Sequence, residues 1–297
     1  MRVNPNYTPN ILTDLFQQQA QEQTLIQELA TGRRVNVPSD DPAAAAADVQ
    51  NKALQAQNDQ YLQNTTNLDG ELQTADSTLS SVVSALNQAI SLGVEGANSG
   101  LPTADQQAIA QQIQGIQSQM VQLANTSYQG TYIFAGTATQ SPPYALDPTQ
   151  PSGVRYSGNS GVNTVEISPG RSIQTNLPGS QVFQGPGGDV MGSLQQLVTA
   201  LQGGNIANIG AATTQLSTAL NYVSQQRVFY GSAVDQLNAN ESFLQQEQVN
   251  LQSEENTLVG VNLATAATGL SQARTAESAT LAALAQIIPQ SLLNYLK

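Results

Sequence analysis

The sequence predicts a mainly α fold with a β insertion. Long helices from both chain ends pack lengthwise as a coiled coil or bundle, and a small β domain comes from the middle. Two observations carry this. Apolar residues recur at alternating spacings of four and three in both halves of the chain, the pattern of helices packed along one another. Between Tyr128 and about Gly188 that period gives way to short alternating runs punctuated by Gly and Pro, the pattern of strands and tight turns.

The first helix is expected over residues 9–30. Ile11, Leu12, Leu15, Leu25, Ile26 and Leu29 form its stripe, and Gly32 ends it. The second starts near Asp41 and runs to about Gly93. Its seam holds Ala47, Leu54, Tyr61, Leu68, Ala75, Val82 and Ala89, with Leu72, Leu79 and Leu86 interleaved. Asn51, Asn58 and Thr65 enter the same seam, where polar residues fix register at a cost in stability. Thr103 with Gln106 predicts a capping box for a third helix carrying Ile109, Ile113, Ile116, Met120 and Leu123.

Strands are expected in "YQGTYIFAG", "VRYSG", "NTVEI", "RSIQTNL" and "QVF". Helix resumes over Val190–Leu201 and breaks at Gly203 and Gly204. The last seam runs through Leu216, Leu220, Val223, Arg227, Tyr230, Val234, Leu237, Glu241, Leu244, Gln248, Leu251, Glu255 and Leu258. A hitch at "GVN", 260–262, shifts its phase before Leu263, Ala267, Leu270, Leu281, Leu284 and Ile288. Terminal helices with matching seams most simply pack on each other.

Composition narrows the chemistry. The 297 residues hold no Cys, no His and no Trp, and the net charge is −12. Without Cys there is no disulfide or thiolate metal site, and without His the usual general base and commonest metal ligand are missing. No catalytic constellation, cofactor motif or metal site stands out. The acidic balance argues against nucleic-acid and anionic-membrane partners. The N-terminal stretch lacks a secretory signal pattern, and no apolar run approaches the roughly 20 residues of a spanning helix.

One stretch concentrates charge in a chain that is only 10% charged. "LATGRRVNVPSDDPAAAA" places Arg33, Arg34, Asp40 and Asp41 at a single turn. Asp41 before Pro42 suits a helix N-cap, with Pro42 as the first helical residue. Both acids lie at the positive end of the helix dipole, and the arginines stand across the turn, within pairing reach.

That turn resembles one near the N-terminus of flagellins and flagellar hook-associated proteins. "YQGTYIFAG", "YSGNSGVNTVEISPGRSIQTNLPGSQVF", "RVFYGSAVDQL" and the closing "NLATAATGLSQARTAESATLAALAQIIPQSLLNYL" resemble the same family, in the same order. Asn262 and Asn294 stand where the family often has Asp, and Asn159 where an acid is usual. Each keeps hydrogen-bonding size and loses charge.

The resemblance implies a non-enzymatic structural subunit of the bacterial flagellum. Residues 1–30 and 262–297 would form a terminal coiled coil, disordered before assembly. Residues 31–135 and 189–261 would form an α-helical rod, and 136–188 an outward β domain. It implies a homo-oligomeric ring bridging hook-associated protein 1 and flagellin, export by the flagellar type III pathway without a cleaved signal, and an export chaperone. The implied subunit-interface residues are Arg33, Arg34, Asp40, Asp41, Leu263, Leu270, Leu281, Leu284, Leu292, Leu293, Tyr295 and Leu296. Two other readings stay open: a flagellin forming the filament itself, and a secreted coiled-coil adhesin or binding module.

Overall fold

The computed structural model describes the backbone over residues 7–295 and the side chains over 12–285. Seven helices frame the described chain: α1 (Tyr7–Thr31), α2 (Pro42–Gly96), α3 (Thr103–Ala124), α4 (Gly179–Phe183), α5 (Val190–Gly203), α6 (Ile206–Val259) and α7 (Leu263–Tyr295). Between α3 and α5 lie eight short strands: β1 (Ser127–Tyr128), β2 (Thr131–Tyr132), β3 (Tyr144–Leu146), β4 (Val154–Tyr156), β5 (Thr164–Ser168), β6 (Arg171–Gln174), β7 (Gln184–Gly185) and β8 (Gly188–Asp189). They pair consecutively as four antiparallel ribbons. The expected mainly α fold with a central β insertion is what forms.

Residues fall into two compact units: 1–57 with 246–297, and 58–245. Helices α2 and α6 contribute to both.

In the second unit one connected core runs from Leu68 to Leu237 in sequence. The heptad of α2 supplies Leu72, Leu79, Val82 and Leu86, none with accessible surface. Ile113 and Met120 of α3, Leu194 and Leu197 of α5, and Leu216, Val223 and Tyr230 of α6 meet them. Each such side chain contributes roughly 1.5–3 kcal/mol of burial. One flank is sealed by Phe134 from the turn after β2 and Tyr144 of β3, each packed edge to face on Phe183 of α4. Buried polar contacts tie β5 and the chain just after β6 to α6. Asn240 Nδ2 donates to the Ile167 carbonyl (2.7 Å), and the Leu177 amide donates to the buried Tyr230 hydroxyl (3.2 Å).

In the first unit α1 lies along α7. Leu15, Ala266, Ala273 and Leu284 are buried there, flanked by Arg274 to Glu22 (2.9 Å) and Gln19 to Glu277 (3.0 Å). Asn262 Oδ1 accepts the amides of Ala264 and Thr265, so carboxamide does the N-capping expected of an acid. Asn159 likewise accepts from the Thr137 and Gly161 amides.

Several expectations need correction. "QVF" is helical, within α4. "YQGTYIFAG" forms a two-residue hairpin rather than one strand, because Gln129 and Gly130 both take positive φ (48° and 84°) and reverse the chain between β1 and β2. The capping box at Thr103 is absent: no side chain caps α3, and Gln106 is buried, donating to the Gly96 carbonyl (3.1 Å). The orphan carbonyl at the end of α2 outcompetes a local cap. Leu54 is 53% exposed, and Asn240 rather than Glu241 occupies the buried seam. The hitch at 260–262 is a complete helix break between α6 and α7.

Candidate functional site

The charged turn of residues 32–41 lies in the first unit, where α1 ends, α2 starts, α6 ends and α7 starts. Gly32, at φ +70°, stops α1. The chain then runs antiparallel to the α6–α7 break. The Arg34 amide donates to the Val259 carbonyl (2.7 Å), the Val261 amide to the Gly32 carbonyl (3.1 Å), and Arg33 bridges Gly260.

The side chains divide the work. Arg33 reaches beyond the turn: one guanidinium nitrogen lies 2.6 Å from Asp48 Oδ2 on α2, the other 3.1 Å from Glu255 Oε1 on α6. Lys52 joins from the next turn of α2, 3.0 Å from Asp48 and 3.9 Å from Glu255. Gln55 Nε2 donates to Glu255 Oε2 (3.1 Å) and to Asn51 Oδ1 (2.7 Å). Arg34 pairs with Asp41 and donates to the Leu258 carbonyl, both at 3.1 Å. Asp40 pairs with neither arginine; its Oδ2 accepts the amides of Asn36 and Val37. Asp41 Oδ1 accepts the Ala44 amide (3.0 Å) and so caps α2.

These contacts set the protonation equilibria. Backbone amides of Val37 and Asn36 hold Asp40 below its ordinary value, and the Ala44 amide with Arg34 does the same for Asp41. Burial pushes Asp48 up, but hydrogen bonds and charge from Lys52 and Arg33 outweigh it and leave the carboxyl lowered. Within this cluster two buried side-chain atoms lack a hydrogen-bond partner: Asp48 Oδ1 and Asn51 Nδ2.

Of the apolar interface candidates, Leu284 is buried, Leu270 half-buried, and Leu263 and Leu281 are 58% and 48% exposed. The side chains of Leu292, Leu293 and Tyr295, and all of Leu296, lie outside the described residues. Leu12 and Ile26 of α1, which the sequence stripe had assigned to packing, are exposed, and so is Phe16. Asp48, Lys52 and Glu255 complete the charged cluster and were not anticipated as its members. Among the described residues there is no group of acidic side chains able to hold a metal, and no helix long and apolar enough to cross a membrane.

Comparison with known proteins identifies two family regions. Residues 3–139 match the bacterial flagellin N-terminal helical region, and residues 213–296 match the bacterial flagellin C-terminal helical region. The flagellar hook-associated protein 3 of Salmonella typhimurium is 34% identical over 173 residues, which is 58% of this chain and 53% of that protein. The chain thus matches about half the length of that curated relative. FlgL from Xanthomonas campestris has a similar fold, with a TM-score of 0.60 at 17% identity over 69% of this chain and 98% of that one. The flagellar junction protein FlgL from Legionella pneumophila gives a TM-score of 0.54 at 14% identity, over 63% and 98%.

Proposed function

From the chain's membership of the bacterial flagellin family, with hook-associated protein 3 among its homologues, we propose that it is a structural adaptor joining the flagellar hook to the flagellin filament. It works without catalysis, as a homo-oligomeric ring that meets hook-associated protein 1 on one side and flagellin on the other. The coiled-coil segments 1–30 and 262–297 order on assembly, the helical segments 31–135 and 189–261 form the rod, and 136–188 face outward. The chain reaches its place through the flagellar type III pathway, escorted by an export chaperone.

The observation that best supports this is the pairing of that homology with apolar surface left over on α1 and α7. Phe16 is 68% exposed and Leu263 58%, although the two helices already pack on each other. Apolar side chains on a terminal helix pair suit lattice packing against further helices. Leu263, Leu281 and the turn carrying Arg33, Arg34, Asp40 and Asp41 are the proposed contact points.

Deleting the gene tests the assignment. Hooks without filaments, with flagellin shed into the medium, are expected. Hooks without filaments and no flagellin anywhere would make this chain the filament protein. Normal filaments would overturn both readings.

A further inference from the structure

The first unit takes no part in the connected apolar core, every member of which lies between Leu68 and Leu237. What joins α2 to α6 within residues 42–57 and 246–259 is largely polar. Arg33, Asp48, Lys52 and Glu255 form one balanced ion cluster. Asn51 and Gln55 extend it by carboxamide hydrogen bonds, Gln55 also reaching the Leu251 carbonyl at 3.3 Å. Leu251 and Val259 are the buried apolar side chains of α6 in this stretch, and Asp48 and Asn51 fill the facing α2 positions at 6% and 3% exposure.

A half-buried ion pair gains little net free energy, because attraction mostly offsets desolvation. Removing one partner is costly, because charge is then left behind. The cluster is therefore a weak fastener when whole and a strongly disruptive one when broken. Arg33 belongs to the turn, Asp48 and Lys52 to α2, and Glu255 to α6, so one break releases three segments together. The backbone stitches between residues 32–34 and 259–261 tie the same segments.

We propose that this ion cluster is a latch: it makes the 32–41 turn, the first part of α2 and the end of α6 open and close as one cooperative unit, independently of the apolar core. Proteins open in such contiguous units, and those with few buried apolar contacts open first. The latch needs no partner and holds for the isolated full-length chain, whatever its place in the flagellum. In an assembly it would let the terminal unit rearrange against a neighbour while residues 68–237 stay packed.

Hydrogen exchange by mass spectrometry on the full-length monomer tests it, with two variants of opposite expected sign. Asp48→Asn keeps the side-chain size and removes the charge shared by Arg33 and Lys52. Protection is expected to fall together, by about tenfold or more, in peptides from 33–57 and 246–261 and to hold in 68–89 and 216–237. Asn51→Leu removes the buried unpartnered Nδ2 and adds an apolar knob. Protection is expected to rise severalfold in the same latch peptides. A loss in Asp48→Asn confined to the peptide holding residue 48, or one that spreads to 68–89, would overturn the latch. So would an Asn51→Leu protein whose 246–261 peptides gain nothing.

Discussion

Helices α2 and α6 each pass through two kinds of packing. Over residues 68–89 and 216–237 their buried facing positions are mostly Leu, Ala, Val and Tyr of one core, with one half-exposed ion pair, Arg227 to Asp76 at 2.6 and 2.9 Å, along its edge. Over 48–58 and 244–258 the buried facing positions include Asp48, Asn51 and Asn58, and contact is made by ions, carboxamides and backbone carbonyls. Apolar burial is non-directional and additive, so it gives stability with tolerance of small shifts. Polar pairing is directional and nearly balanced by desolvation, so it gives register with little stability. One helix pair thus combines a firm stretch with a stretch that is specific and weakly held.

The firm stretch should break hardest. Leu79 is fully buried in the α2 seam, and Leu79→Ala is expected to cost about 2–5 kcal/mol through lost burial and the cavity left behind. A denaturant titration followed by circular dichroism reads this as a lower midpoint of the main transition. An equivalent truncation at the exposed Leu54 should leave that midpoint in place.

A smaller effect is expected where the apolar unit depends on one polar contact. The Tyr230 hydroxyl is fully buried and accepts the Leu177 amide. Tyr230→Phe strands that amide and is expected to cost about 1–3 kcal/mol. The same denaturant titration checks it, and exchange of the Leu177 amide localises it. The contrast with Asn51→Leu is direct: deleting a polar group weakens the core unit here and strengthens the terminal unit there.

How much of this was legible in sequence follows the same division. The apolar heptads of α2 and α6 announced their helices, because period survives without knowledge of the partner. The break at 260–262 was legible as a phase shift. The charged cluster was only half visible. Arg33 and Asp40 are neighbours in the chain, yet Arg33 pairs across 222 positions with Glu255, and Asp40 turns back onto two amides. An acid such as Asp48 in an Ala-rich helix reads as solvated surface until α6 is laid against it. The Gln106 bond to Gly96 and the helical "QVF" escaped for the same reason: local propensity was overruled by a tertiary partner.

The smallest expected effect separates the two units by sign. In the terminal unit Asp48 is held below its ordinary value of 3.8, because Lys52 and Arg33 outweigh burial. A depressed carboxyl stabilises the folded state above the unfolded value, and that contribution is lost as pH falls through the lower folded value. In the core unit Glu71 is raised above its ordinary 4.5 by burial, with no cation relieving it. Its charged form is the disfavoured one, so stability rises as pH falls through its raised value and the whole gain is present below 4.5. Acidification from pH 7 is therefore expected to firm the core unit at Glu71 first, and to loosen the terminal unit only below about pH 3.8. Local exchange protection factors measured along a pH series check both arms. Glu71→Gln should remove the gain from peptides around residue 71, and Asp48→Asn should reduce the acid-dependent loss in 33–57, leaving the part that comes from Asp40 and Asp41, which are also held below their ordinary values. If both units weaken in parallel, with neither variant altering its own arm, the division between an apolar and an ionic half does not extend to their titration.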